Sequence, residues 1–438
     1  MPIIAVKGTH DLFAEEAEAY SYIQNVFKAA SELYGYRPIE TPILEYTEVF
    51  THSTGESSDI VRKEMYTFSD KASRSVTMRP EGTAGAVRSI VEHKLYATND
   101  APLKVYYCGP AFRYERPGLG RYRQFIQAGV EAVGDDSARM DAECIALAMN
   151  FLKMLGFKNL VVKVNTLGDP ESRAKYRDAL RDYFRPHLGE MCEDCRQRFE
   201  LNPLRMLDCK VPEDQEIAKG APKMKDFLSP EAEKRFYQTL SILNDEEIDY
   251  EIDDGLVRGL DYYGHIVFEV HAKSETGSDY GALLGGGHYD GMMKEFGGPE
   301  EFDHGVGFAC GVERLYSLMK DNNMLGDIDN SLDIYAMPLG EAVQDAMYLI
   351  VEQIRMCGYS CELPFHPGKL GSMFKKAERR KAKFALILGE DELEKGIVQL
   401  KDLAKKEQIE VKIEELAEKL DELFDALDEE EEHHHHHE

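Results

Sequence analysis

Between Phe112 and Glu131 the chain reads Phe-Arg-Tyr-Glu-Arg-Pro-Gly-Leu-Gly-Arg-Tyr-Arg-Gln-Phe-Ile-Gln-Ala-Gly-Val-Glu, a run dense in groups that can grip an anion. Arg116-Pro117-Gly118-Leu119-Gly120 is turn chemistry, so residues 103–133 read as two strands joined in a hairpin. Side chains alternate between the faces of a strand. Arg121, Arg123, Phe125, Gln127, Gly129 and Glu131 therefore share one face, and Arg113 and Glu115 share a face of the first strand. Ile126, Ala128, Val130 and Ala132 take the opposite, buried side. Guanidinium groups fork onto phosphate oxygens and a planar ring stacks on a base, so this face suits a nucleotide. Gly129 would leave room for the ligand. The competing reading is a solvated face laced with salt bridges worth ~0.2–1 kcal/mol each, on which Phe125 is poorly placed. Pattern alone leaves both open.

These side chains need elements to position them. Residues 13–35 read as a helix, and Tyr36 to Pro42 as an extended stretch confined to an edge by Pro38 and Pro42. A helix near 138–155 and a strand near 160–165 follow. Residues 170–250 turn helical and charged, with prolines at 186, 203, 212, 222 and 230, and read as an inserted module. Strand and glycine signals return over 256–311. From Leu332 a regular alternation begins: strand 332–337, helix 341–357, strand 359–363, helix 370–382, strand 384–389, a further strand and a final helix. That describes a separate α/β domain, bounded near Asp327-Ile328-Asp329-Asn330.

The 438 residues are 43% hydrophobic and 30% charged, with no tryptophan. No apolar run approaches the roughly 18 residues that cross a bilayer, and the N-terminal residues lack a secretory pattern. Eight cysteines without a dense framework point to a reducing, cytoplasmic setting. A net charge of -29 argues against indiscriminate binding to nucleic acid or membrane. Within that acidic chain, Lys369–Lys383 holds seven basic residues and one acid. It reads as a solvated helix face or as a phosphate-contacting strip. His187, Cys192, Cys195 and Cys209 contain a Cys-x-x-Cys seed, but a structural zinc site wants a second close pair. The expectation is three thiols and no metal. The run His433–His437 is set aside as a purification remnant, and the acidic and histidine tail 428–438 is expected to be disordered.

Five stretches, in order, resemble a known family. Tyr36 to Glu45 is similar to motif 1 of class II aminoacyl-tRNA synthetases, Phe112 to Phe125 to motif 2, and Gly307-Phe308-Ala309-Cys310-Gly311-Val312-Glu313-Arg314 to motif 3. Leu256-Val257-Arg258-Gly259-Leu260-Asp261-Tyr262-Tyr263 and Gly285-Gly286-Gly287-His288-Tyr289-Asp290-Gly291 resemble segments of the histidyl-tRNA synthetases. The resemblance runs from about residue 7 to residue 420. It implies an α+β catalytic domain with a mostly antiparallel sheet flanked by helices, a helical insertion, and a C-terminal α/β anticodon-binding domain. The expected parts are 1–169 and 251–327 (catalytic), 170–250 (insertion) and 331–425 (anticodon-binding).

The resemblance also implies a ligase of protein biosynthesis that joins L-histidine to tRNA-His with ATP and Mg2+, as a homodimer. Arg113 and Arg258 would be catalytic. Arg113, Glu115, Arg121, Phe125 and Arg314 would bind ATP. Arg314 stands on a helix whose apolar stripe is Val312, Leu315 and Met319, and it points away from that stripe. Histidine would be held by Glu81, Thr83, Gln127, Glu131, Arg258, Tyr262, Tyr263 and Tyr289. Glu81 precedes a helix with apolar positions Ala84, Val87, Val91 and Leu95, whose dipole should keep it ionised. Arg258 has an alternative, a salt bridge to Asp261 or another carboxylate. Arg116, Lys375 and Lys376 would contact tRNA, with no dedicated metal ligands. His288, Gly118 and Ile126 depart from the family's usual residues. The alternative function is a catalytically silent paralogue that regulates ATP phosphoribosyltransferase, which typically lacks residues such as 332–420.

Overall fold

A computed structural model describes residues 3–54, 58, 60–98, 101–118, 120–273, 279–325, 331–366 and 368–435. The chain forms two compact units, Met1–Ile328 and Asp329–Glu438. The expected boundary residues 327–330 and the hairpin residue Leu119 lie outside the described residues.

The first unit is built on an eight-stranded sheet. Its strands are β1 (Arg37–Pro38), β2 (Leu103–Phe112), β3 (Gln124–Val133), β4 (Leu160–Thr166), β5 (Tyr250–Ile252), β6 (Tyr263–Lys273), β7 (Asp279–Asp290) and β8 (His304–Gly311). They lie in the order β1-β2-β3-β8-β7-β6-β4-β5. Only the outermost pairs, β1 with β2 and β4 with β5, are parallel. Pro38 sits on the edge strand, where its missing N–H breaks no ladder.

Four helices cover one face: α1 (Ala14–Leu33), α2 (Ala138–Met154), α3 (Pro230–Asp245) and α4 (Val312–Asp321). Ser137 and Ser229 cap two of them by accepting the backbone N–H three residues on, and Pro230 opens α3 at a position that needs no donor. Phe27, Phe151, Leu240 and Leu315 from these helices pack on Ala128, Val130, Phe268 and Phe308 of the sheet. Each such buried side chain contributes about 1.5–3 kcal/mol. Because β3 turns Ala128 and Val130 into this core, strand alternation puts Gln127 and Glu131 on the other face. That face is covered by the segment 170–228, whose Tyr176, Leu180, Phe199 and Met206 pack with Tyr263 and Tyr289.

The structure redraws part of the expected insertion. α3 and β5, inside the range 170–250 or at its edge, belong to the main core and sheet, because Phe236, Leu240 and Leu243 form an apolar stripe that the core buries. No helix among the described residues is long and apolar enough to cross a membrane.

The second unit has a five-stranded sheet: β9 (Ile334–Pro338), β10 (Cys361–Glu362), β11 (Phe384–Leu388), β12 (Ile397–Asp402) and β13 (Gln408–Lys412), ordered β10-β9-β11-β12-β13. The sequence reading had one strand after 389; there are two, paired antiparallel through the turn at 403–407. Helix α5 (Leu370–Arg379) buries Met373 and Ala377 on this sheet and leaves Lys375, Lys376 and Arg379 exposed. The tail is not without structure: a helix runs from Leu416 to His435, and only 436–438 lie outside the described residues. Its run of glutamates has good helix propensity, which the disorder expectation neglected.

Candidate active site

The face of the sheet opposite the helices carries two neighbouring cavities. The larger, of about 810 Å³, is lined by Arg113, Glu115, Arg121, Phe125, Arg258, Glu313 and Arg314, with Arg198, Arg205 and Lys210 from the covering segment. The smaller, of about 180 Å³, is lined by Glu81, Thr83, Gln127, Glu131, Tyr262, Tyr263 and Tyr289. Arg113, Phe125, Arg258 and Gly285 border both, so the cavities meet at two guanidinium groups.

Each group is set by its element. Arg113 follows β2; its Nε donates to the Pro80 carbonyl at 2.9 Å, and its guanidinium lies 5.2 Å from the Phe125 ring centre. Arg258 lies in the loop before β6. Its Nη1 donates to Glu269 Oε1 on β6 at 2.5 Å, and its Nε has no hydrogen-bond partner. Of the alternatives raised for Arg258, the nearby carboxylate is thus Glu269; Asp261 accepts from Asn202 at 2.9 Å. Gly285 gives Arg258 its space, since a Cβ there would fall 2.4 Å from Nη1. Arg314 projects from the first turn of α4 and donates to the Tyr280 carbonyl.

Three alternation arguments need correction. β2 ends at Phe112, so Arg113 and Glu115 do not share a strand face and lie in the loop after it. β3 begins at Gln124, so Arg121 and Arg123 sit in the loop before it. Arg121 still lines the larger cavity, whereas Arg123 turns away, its guanidinium 3.8 Å from the Tyr114 ring centre. Gly129 does not leave room for a ligand. In the β2–β3 ladder it faces Tyr107, whose hydroxyl would lie 2.4 Å from a Cβ at 129.

The floor of the small cavity is a hydroxyl cage around one carboxylate. Glu131 Oε1 accepts from Thr83 Oγ1 at 2.7 Å and from the Tyr107 hydroxyl at 3.1 Å, and Oε2 accepts from the Tyr289 hydroxyl at 2.9 Å. Burial dominates its titration and pushes Glu131 up to about 8 against the pull of its donors. The Glu81 carboxylate accepts from the Thr83 and Ala84 amides at 2.7 and 2.9 Å, and so caps the helix Thr83–Glu92. Desolvation outweighs these bonds and shifts the Glu81 pKa upward, while the two helix-start amides pull it down. Gln127 Oε1 accepts from the Gly82 amide at 2.8 Å, and the Tyr262 and Tyr263 rings lie 4.5 Å apart.

Glu131 makes stability depend on pH. The folded chain holds its proton more tightly than an ordinary glutamate at 4.5. The stabilisation is therefore complete below that value and lost as pH rises through about 8. The unfolding free energy of the ligand-free protein is expected to fall across this window by at most about 1.4 kcal/mol per pH unit for one proton, and its melting temperature with it. Glu131→Gln should flatten the fall; identical pH profiles for the two proteins would exclude this origin.

Tyr107, Glu269 and Glu313 escaped the sequence reading. Tyr107 and Glu269 each stand opposite a cavity glycine, Gly129 and Gly285, in the strand register. A large or charged residue paired with glycine was the available signal, but it needs the pairing first. Glu313 Oε1 accepts from the Ile126 amide at 2.8 Å, Oε2 has no partner, and burial pushes the acid up to about 7. The departure His288 is fully buried, with Asp141 at 2.9 Å and Asp290 at 3.0 Å on its two ring nitrogens. Burial disfavours its charge, yet the two carboxylates prevail and raise its pKa. The tRNA candidates lie elsewhere. Arg116 is exposed in the 113–123 loop. In the second unit Lys376 borders a concavity of about 620 Å³ with Arg379, Arg380 and Phe365; the Phe365 ring is 81% exposed.

Residues 8–315 match the family model described as histidyl-tRNA synthetase, and residues 333–423 match an anticodon binding domain. Histidine–tRNA ligase of Bacillus licheniformis is 45% identical over 90% of this chain and 93% of that protein. The enzyme of Bacillus subtilis is 44% identical over 93% and 96%. An apo histidyl-tRNA synthetase of S. aureus superimposes with a TM-score of 0.81 at 34% identity, covering 96% of this chain and 100% of that one. An ATP phosphoribosyltransferase regulatory subunit/histidyl-tRNA synthetase from Bacillus halodurans, at 20% identity and a TM-score of 0.62 over 89% and 99% of the two chains, shares the fold.

Proposed function

Because the chain belongs to the histidyl-tRNA synthetase family, we propose that it is a histidine–tRNA ligase whose two steps run where the two cavities meet. One observation carries the reading: Arg113, Arg258 and Arg314, from three distant stretches, line one cavity, and the first two also border the hydroxyl cage.

In the first step a histidine carboxylate oxygen attacks the α-phosphorus of ATP and pyrophosphate leaves. Two anions meet, so fixed positive charge at the junction stabilises the transition state more than the ground state. Arg113 and Arg258 supply it. Phe125 faces the adenine, with Glu115 and Arg121 beside the nucleotide and Arg314 on the far phosphates. Glu131 and Tyr263 take the two imidazole nitrogens, Tyr262 and Tyr289 complete the walls, and Glu81, Thr83 and Gln127 receive the ammonium. In the second step the terminal ribose hydroxyl of tRNA-His attacks the acyl carbon and AMP leaves. Magnesium fits the larger cavity: Glu115 and Glu313 stand on its wall, and Glu313 Oε2 is buried without a partner. Carboxylates of this kind hold Mg2+ alongside substrate phosphates, where it supplies charge to the leaving group.

ATP–pyrophosphate exchange dependent on histidine, and on no other amino acid, tests the reading; silence with histidine would favour the regulatory paralogue. The parts are a catalytic unit with an inserted cover and an anticodon-binding unit at 331–425. Exposed Ile43, Leu44, Tyr46 and Phe68, on or beside the small sheet Leu44–Tyr46, Tyr66–Ser69 and Ser75–Met78, support a homodimer. A cytoplasmic location accords with these substrates.

The second unit receives the anticodon, with Lys375 and Lys376 on phosphates, an exposed Phe365 for base stacking, and Arg116 toward the acceptor end. Replacing Lys375 and Lys376 with glutamine is expected to weaken tRNA binding and lower the slope of log affinity against log salt by roughly 1–2. Filter binding across a salt series checks this; an unchanged slope removes the two lysines from the interface.

A further inference from the structure

Outside the reaction site, the covering segment gathers three thiols and a carboxylate. Cys192 precedes the helix Glu193–Leu201, Cys195 lies in its first turn, Cys209 follows the turn Pro203–Met206, and Asp214 lies in the first turn of the helix Pro212–Lys219. One ligand atom from each of the four lies within 4.8 Å of the others. Cys192 Sγ and Cys209 Sγ are 3.8 Å apart, and Cys209 Sγ is 3.2 Å from Asp214 Oδ2. Zinc bonded to sulfur at ~2.3 Å and to oxygen at ~2.0 Å in a tetrahedron needs edges of about 3.5–3.8 Å.

The surroundings fit a cation as well. Cys195, Cys209 and Asp214 are buried, at 0%, 5% and 1% exposure, and Cys192 is half-buried on the wall of the larger cavity, which gives an ion a way in. The Cys195 amide donates to Cys192 Sγ at 3.4 Å, and the Cys192 amide points at both Asp214 oxygens, at 3.2 and 3.3 Å. These are outer bonds that hold ligands in place. His187, the sequence's candidate for a fourth ligand, instead packs on Tyr183, ring centres 5.6 Å apart. Asp214 stands in its place, a fourth donor the sequence did not offer: a lone carboxylate five residues after Cys209 carries no motif.

We propose that Cys192, Cys195, Cys209 and Asp214 form a structural Zn2+ site. On binding, three thiols release their protons and Asp214 binds as carboxylate, leaving two negative charges on the site. Arg198, Arg205 and Lys210 on the same cavity wall offset them. The loop it closes reaches the reaction site, since Arg205 Nη1 donates to the Gly259 carbonyl at 2.5 Å, beside Arg258. The ion thus braces the wall that carries Arg258.

Cobalt is the probe, because His433–His437 also bind metals but give no thiolate bands. Metal-stripped, reduced protein titrated with Co2+ is expected to show sulfur-to-cobalt charge-transfer and intense tetrahedral d–d bands, saturating at one ion per chain and bleached by Zn2+. Cys192, Cys195 and Cys209 should then react with a thiol reagent more slowly in the metal-loaded protein than in the stripped one, while Cys108 and Cys357 keep their rates. Cys195→Ser, which leaves two of the three thiolates, should lower the charge-transfer intensity per bound cobalt by about a third and weaken binding. Asp214→Asn, which keeps every thiol but replaces a direct ligand, should shift the d–d bands and weaken binding by at least the roughly 10–100-fold that losing even an outer partner costs. Absence of the bands in the folded parent, with the reactivity of Cys192 unchanged by metal, overturns the proposal. So does a Cys192–Cys209 disulfide that forms in preference to metal binding under mild reductant. If Cys195→Ser does not fold, Asp214→Asn and the parent titration decide.

Discussion

Arg258→Ala is expected to lower kcat for histidine-dependent ATP–pyrophosphate exchange by about 10²–10³-fold, with KM for histidine changed far less. The guanidinium borders both cavities, with one nitrogen anchored on Glu269 and another unpartnered. Such a group is already oriented before substrates arrive and gains most when charge builds on the α-phosphate. Its removal leaves Glu269 with His271 at 3.2 Å, so no buried carboxylate is stranded and the fold should survive. Arg258→Lys should recover part of the loss, because one point charge replaces a fork. Steady-state exchange with wild-type-like melting decides the matter; kcat within a factor of a few of the parent would remove Arg258 from the chemistry.

Glu131→Ala should cost more on the other substrate. Its carboxylate is the acceptor for three hydroxyls, from Thr83, Tyr107 and Tyr289, and the assigned partner of an imidazole nitrogen. A site built to hydrogen-bond its substrate loses discrimination of about 10⁴-fold when that group goes. kcat/KM for histidine is therefore expected to fall by about 10³–10⁴, while KM for ATP stays near its parent value. The stranded hydroxyls also cost stability, about 1–3 kcal/mol each where no water replaces the acceptor. Glu131→Gln keeps an acceptor oxygen and separates the two effects: it should restore melting behaviour but not histidine use. Unchanged exchange kinetics in Glu131→Ala would end the assignment.

The alternation of β3 made half of this site readable. Gln127 and Glu131 come to the cavity face because Ala128 and Val130 must go to the core, and a period of two leaves no other choice. The same rule failed at Arg121 and Arg123, where the strand had not begun. It also failed at Gly129, where the space belongs to a neighbouring strand. Tyr107 and Glu269 could not be found from one strand, since their role exists only across a ladder. Glu81 shows a different failure. Its place at a helix start was legible, but the depth of its burial was not, and burial outweighs the helix-start bonds in the direction of its pKa shift. The domain alternation after Leu332 was clear because parallel strands leave solid apolar runs, yet the short hairpin at 397–412 blurred into one strand. Asp214 could not be read at all, because its partnership with the thiols depends on two helix starts meeting.

The pairing of Gly129 with Tyr107 has a further consequence. The carboxylate on the floor of the small cavity is steadied from a rung of the central sheet rather than from a loop, because Tyr107, paired with Gly129, donates to Glu131. A methyl group at 129 would have to displace the phenol, and with it one of the three hydroxyls on Glu131. Position 129 is thus held by its neighbour: it cannot gain a side chain until the Tyr107 ring yields.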